Sequence, residues 1–254
     1  MLQPQSLLWH YLWLGPNVLQ AMLTLLLWRR GFSQRFPVFF SYLVFSATEQ
    51  FTLYGMDILP PVSAEAYWRA FFVVSTVEAV LVVAVIGELF FHLLRSRPMI
   101  AKLGSRLISG TGAALILLAV AAAAYTPLAH GRLIFASRAY VLLQSSYIVE
   151  GGLALFLFLF AAHFKLIWNH QAFGIALGFG IAWCEHMAAW AVIASGTPFG
   201  KRLDLFNMAT YHVCVLIWFY FLLVPHKVTT TSAVSLPENN LDIWNRELER
   251  LLQQ

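Results

Sequence analysis

The sequence predicts an all-α fold: a polytopic membrane protein, a seven-transmembrane-helix bundle with its N-terminus outside and its C-terminus inside, followed by a short cytoplasmic amphipathic helix. Three observations predict it. Hydrophobic residues make up 60% of the 254 residues and charged ones 11%, whereas a soluble domain carries about 25% charged residues. Too few charges remain to coat a water-facing surface, so lipid must solvate much of the chain. Seven apolar runs reach the ~20 residues that cross a bilayer core at ~1.5 Å per residue. Lys and Arg fall in the short connections between these runs and favour one side.

The runs follow one another with physical stops. The first covers Leu7 to Trp28 and halts at Arg29-Arg30; the second covers Pro37 to Leu59 and halts at Pro60-Pro61, where a helix loses its donor. The third covers Tyr67 to Leu94 and meets Arg95, and the fourth covers Leu107 to Tyr125, before Pro127. The fifth covers Ala139 to Ala162, the sixth Ala172 to Ser195 before Gly196-Thr197-Pro198, and the seventh Asn207 to Val224 before Pro225. The first run is read as a mature helix rather than a signal peptide. Nothing positive precedes it, and its apolar stretch is longer than the 7–15 residues of an h-region.

Charge gives the expected orientation. Arg29, Arg30, Arg35, Arg95, Arg97, Lys102, Arg106, Lys165 and Lys227 share one side, and Arg69, Arg132, Arg138, Lys201 and Arg202 the other. The richer side is expected in the cytoplasm, which places the protein in a bacterial inner membrane. The net charge of +4 and pI of about 9.2 follow from these loops. No basic stripe interleaves with aromatics, so no nucleic-acid partner is expected. His10, Tyr11, Trp68, Trp168 and His226 sit where interfacial anchors belong, as do His92, His163 and His170. Cys184 and Cys214 both fall inside apolar runs and form no secreted disulfide framework.

No loop has room for a soluble domain, so residues 1–227 read as one membrane domain and 228–254 as a cytoplasmic linker and tail. In the tail, Leu241, Trp244, Leu248 and Leu251 repeat at helical spacing after the N-cap candidate Asn240. Its acids outnumber its two arginines, Arg246 and Arg250. An acidic amphipathic helix suits a basic loop or a cytoplasmic protein partner of residues 237–254 better than an anionic membrane surface.

Chemistry is expected at four acids near the middle of runs: Glu49, Glu78, Glu150 and Glu185. An acid at the bilayer centre costs about 2.5–3.5 kcal/mol on insertion scales, so four on four helices point to a shared polar interior. Tyr42, Ser46, Glu49 and Thr52 share a helical face; Ser75 precedes Glu78, and Ser146 precedes Glu150, by one turn. Gly174, Gly178, Ala182 and Glu185 form a small-residue face that lets another helix approach. His186 and His212 complete the ligand- or proton-binding set Glu49, Glu78, Glu150, Glu185, His186, His212, Ser46, Ser75 and Ser146. Glu88, nearer a helix end, is expected to pair with a loop arginine. Pro16-Asn17 is expected to kink the first run.

No cofactor is expected. Cys184, Glu185, His186, His212 and Cys214 invite a metal or a haem held by His186 and His212. However, His212 and Cys214 are two residues apart and point to opposite sides, and no His-x-x-x-His or Glu-x-x-His pair occurs. The seven-run topology is similar to that of rhodopsins, yet Lys102, Lys165, Lys201 and Lys227 all lie in connections, leaving no retinal-binding lysine. The weak likeness between the two triplets of runs lacks the prolines of the three-plus-three sugar transporters. The stretch from Trp28 to Phe40 and the tail from Trp244 to Leu252 resemble uncharacterised bacterial seven-span membrane proteins; that resemblance covers most of the chain and implies the fold without an activity.

The expected function is binding of a proton, a cation or a small cationic solute, for transport or permeation. The alternative is a membrane sensor or scaffold that signals through the tail helix. An intramembrane enzyme ranks last, because no nucleophile–base pair is recognisable.

Overall fold

The structure, a computed structural model, describes residues 7–58, 62–95, 98–125, 134–194 and 200–224. The chain divides into two compact units, Met1–Val224 and Pro225–Gln254. The described residues include none of the second, so the expected linker and tail helix lie outside them. The first unit is all-helical. Its α-helices are α1 Leu7–Arg29, α2 Pro37–Ile58, α3 Ala64–Leu94, α4 Pro98–Tyr125, α5 Ile134–His163, α6 His170–Ala194 and α7 Gly200–Leu223, with one 3₁₀ turn at Phe32–Gln34.

Each helix matches an apolar run, but several begin earlier than the run does. Backbone hydrogen bonding carries a helix past its apolar stretch wherever a cap is available. For α3 the cap is Ser63, whose hydroxyl accepts from Ala66 N, and Glu65 follows in the first turn. For α4 it is Pro98, which needs no donor in the first helical position. The α5–α6 connection ends α5 in a Schellman pattern: Leu166 N bonds to Ala161 O at 2.9 Å and Lys165 N to Ala162 O at 3.2 Å. Lys165 takes the left-handed position (φ 49°) usual for glycine. Gly31 does the same (φ 68°) where α1 turns into the 3₁₀ segment.

Among the described residues, α1, α3, α5, α6 and α7 each hold a segment long and apolar enough to cross a membrane, and only 22–39% of each segment is buried in the bundle. Most of the apolar surface therefore faces outward, with Val18, Val73, Val80, Phe91, Leu117 and Leu159 among the exposed residues. Water does not tolerate so much continuous apolar surface, which suggests a multi-pass membrane protein. Helix α2 is less apolar, because it carries Glu49, Gln50 and Asp57.

Six helices close a ring. In order of contact it runs α1, α2, α3, α5, α6, α7 and back to α1, and α3 also touches α6 across it. Helix α4 stands outside the ring, packed on α5 and more lightly on α3. One end of the ring is fixed by specific contacts. Arg30 Nη1 donates to Leu223 O at 3.0 Å, tying α1 to the last carbonyls of α7. Glu88 of α3 accepts from Val38 N at 3.0 Å and Phe39 N at 2.9 Å, capping α2. The expectation that Glu88 pairs with a loop arginine is thereby corrected: the free N–H groups of the first turn of α2 attract its carboxylate.

The half of the ring nearest that end is dry. Phe36, Phe39, Phe90, Leu94, Leu157, Ile175 and Trp218 are buried there. Trp218 meets Phe39 edge-on at 5.4 Å, and Phe90 packs on Phe160 at the same centroid distance. A side-chain carbon added at Gly178 would collide with Trp218, and one at Gly174 with Phe221. These glycines let α7 lie directly on α6.

Candidate functional site

Above the dry half the same helices turn polar. Counted along each helix from the shared end, Glu49, Glu78, Glu150 and Glu185 lie about 18–24 Å away at ~1.5 Å per residue. They form a layer to which all six ring helices contribute. Helix α4 has no acidic residue and adds none.

Glu49 of α2 is buried (5% exposed). Its Oε1 accepts from Gln50 Nε2 at 3.4 Å, while Oε2 has no hydrogen bond of acceptable geometry, although the Glu78 carboxyl lies beside it. Glu78 is half-buried on α3 and is the electrostatic hub of the layer. It lies within reach of Glu49, Tyr42, Tyr147, Glu150, Tyr211 and His186. Glu150 of α5 is half-buried and joins the group through Glu78. The imidazole of His186 also lies in reach of Glu78.

Glu185 of α6 is buried (6% exposed), with Oε1 unpartnered and Oε2 at 3.1 Å from His186 Nδ1. Adjacent residues diverge by ~100° around a helix, yet both side chains bend far enough to meet. The His186 ring stacks on Tyr147 of α5 at 4.2 Å and 15°. Nearby, Trp183 Nε1 donates to Tyr147 O at 2.9 Å, and its indole lies where a side chain at Gly151 would sit. His212 of α7 is elsewhere, beside Tyr11 and Gly15 of α1, with Nδ1 buried and unpartnered. The two histidines thus face different helices. Among the described residues no three His, Cys, Asp or Glu side chains gather where they could hold a metal ion.

The serines behave differently from one another. Ser46 is buried, and its hydroxyl lies 3.3 Å from the Tyr211 hydroxyl. Ser75 is buried (4% exposed) on the helix that carries Glu78. Ser146 donates to Leu143 O at 2.9 Å, so its hydroxyl serves its own helix rather than the Glu150 carboxyl. Thr52 is exposed and donates to Thr48 O, so the polar face of α2 ends at Gln50.

Sequence reasoning missed the neutral half of the layer. Gln20 of α1 is fully buried; its Nε2 donates to Leu43 O at 3.1 Å and its Oε1 accepts from the Tyr211 hydroxyl. Asn17 is buried, donates to Trp13 O at 2.6 Å and leaves Oδ1 unpartnered. Tyr147 and Tyr211 flank the acids. The signal was present as amides and phenols in mid-helix, but such groups also serve as ordinary interhelical bonds. What separates them is that Tyr147 and Tyr211 lie in reach of Glu78 and that Gln20 bonds to Tyr211. Toward the other end, Trp13 Nε1 donates to Gln50 Oε1 at 3.0 Å, and His10 Nδ1 lies 3.1 Å from the Tyr54 hydroxyl.

Comparison with protein-family models, with curated proteins and with solved structures finds no match.

Proposed function

We propose that the chain is a seven-span inner-membrane protein, N-terminus outside and C-terminus in the cytoplasm, whose polar layer binds a proton, a cation or a small cationic solute for transport or permeation. The observation that carries this reading is the pair of buried acids, Glu185 with one carboxyl oxygen lacking a partner and Glu49 with only the Glu78 carboxyl beside its second oxygen. Beside them stand Glu78 and Glu150, and among the described residues no Lys or Arg reaches Glu78 to balance the group. A buried carboxylate without a partner is costly, so it takes either a proton or a cation from outside. Carboxyls this close share what they bind, and gaining one charge at one site changes the demand at the next.

The orientation follows the basic residues: Arg29, Arg30 and Arg35 gather at the dry end, on the side expected in the cytoplasm. A reporter fused after Gln254 is expected to be active in the cytoplasm, and one placed near Gly200 outside. Reporters on the same side would refute the span count or the orientation. Function is tested in reconstituted vesicles with imposed gradients of protons, alkali cations or methylammonium. The Glu49→Gln/Glu185→Gln variant is expected to fold and to lose the flux or binding that the wild type shows. If wild type and variant behave alike with every probe, the acids only hold helices together, and the sensor or scaffold reading takes over.

A further inference from the structure

The layer contains one group built to exchange protons with its surroundings. His186 is 22% exposed at the side chain, whereas Glu185 beside it is 4% exposed. Its Nδ1 is fixed 3.1 Å from Glu185 Oε2, and its ring is held flat against Tyr147 at 4.2 Å. The groups that face it are Tyr147 on α5, Glu78 on α3 and Glu185 on α6; Glu150 of α5 lies in reach of Glu78 and Tyr147, and Cys214 of α7 in reach of Glu185. A partly exposed imidazole in contact with a buried acid is suited to proton transfer, because one nitrogen can take up a proton while the other gives one up.

We propose that His186 is a proton relay that exchanges protons with Glu185 and through it with the other buried acids, so that the species handled by the layer is the proton. This rests on the reading of the layer as a binding site. In the relay, Nε2 takes up a proton and the resulting imidazolium gives its Nδ1 proton to Glu185 Oε2. The ring is left neutral with the proton on Nε2, and Glu185 is left as the neutral acid. The pair resets when Glu185 passes its proton on and the ring exchanges its Nε2 proton for one on Nδ1, and no co-reactant is consumed. Glu78 lies within reach of the ring, so a charge passing through His186 is felt at the hub. Tyr147 acts as a positioning residue: stacking keeps Nδ1 aimed at Glu185. Glu185 Oε1, the other oxygen of the same carboxyl, is buried and has no hydrogen-bond partner.

The test uses the full chain in vesicles containing a pH-sensitive dye, with a potassium–valinomycin potential driving proton entry. Wild type is expected to acidify the lumen. His186→Ala is expected to lower that rate at least about tenfold, and added imidazole, a small mobile proton carrier, is expected to restore it. Folding of each variant is followed by tryptophan fluorescence. If His186→Ala does not fold, His186→Gln, which keeps a hydrogen-bond donor near Glu185 but carries no proton, is measured instead. Proton flux equal to wild type in a folded variant overturns the relay, and so does a loss in His186→Ala that imidazole leaves unrestored. A wild type that carries sodium or methylammonium but no protons also overturns the relay, while the binding layer stands. Glu49→Gln/Glu185→Gln vesicles that match wild type overturn the layer itself.

Discussion

The two halves of the helix ring differ most clearly in how they treat a buried glutamate. In the dry half both oxygens of Glu88 accept backbone N–H groups, from Val38 and Phe39, and the acid is consumed in capping α2. In the polar layer Glu185 keeps an oxygen without a partner, and Glu49 turns its second oxygen toward another acid, Glu78. The residue type is the same, but the environments are opposite. A carboxylate aimed at the first turn of a helix meets free donors and a favourable dipole, whereas one aimed at the faces of other helices meets their side chains only. The first is a fastening. The second remains available to something that arrives from outside. The aromatic packing of the dry half, from Phe39 to Trp218, holds the ring closed at one end, and the layer above it is free to be polar.

The comparison is broken most forcefully in the dry half. Trp218→Ala removes a buried indole from Phe39, Phe179 and Gly178 and is expected to cost about 3–5 kcal/mol in detergent unfolding. A cost under about 1 kcal/mol would mean that this half is not the stabilising one. Next is Glu88→Ala, which strips the α2 N-terminus of two charge-assisted bonds. It is expected to cost about 1.5–3 kcal/mol and to expose the amides of Val38 and Phe39 to hydrogen exchange. Tyr211→Phe, which deletes the hydroxyl shared by Gln20 and Ser46, is expected to cost about 1 kcal/mol.

The sharpest contrast comes from the smaller effects. Glu49→Gln keeps the shape and removes repulsion from Glu78, so it is expected to leave stability unchanged or raise it slightly, unlike Glu88→Ala. Unfolding of the two variants in parallel checks this, and equal destabilisation would erase the difference between the halves. The smallest effect is expected for Thr52→Val: the hydroxyl is exposed and bonds only within its own helix, so the change should stay within about 0.5 kcal/mol.

The fold was largely legible because apolar length is a local property. Runs bounded by Arg29-Arg30, by Pro60-Pro61 and by Pro225 became helices at nearly the expected places. The acids were legible as well, since a mid-run glutamate stands out against its neighbours. Partners were harder to read. Ser146 had the right spacing for Glu150 and bonded to Leu143 O instead, because a hydroxyl on a helix always has a carbonyl of the previous turn within reach. Gln20 and Tyr211 carried no charge to draw notice, and 191 positions separate them.

The sequence by itself determined which stretches form helices, where most of them stop and which of them carry acids, because those follow from hydrophobicity, helix-stopping residues and charge along a continuous stretch. The tertiary structure alone decided that α3 pairs with α5 and that α4 stands outside the ring. It also made Glu78 the hub of the layer, and it spent Glu88 on capping α2 while setting Glu49 beside another acid. The physical reason is that an apolar run carries no record of which neighbour it will choose. Packing of side chains such as Trp218 against Gly178 sets the order of the helices, and that order decides which polar atoms meet.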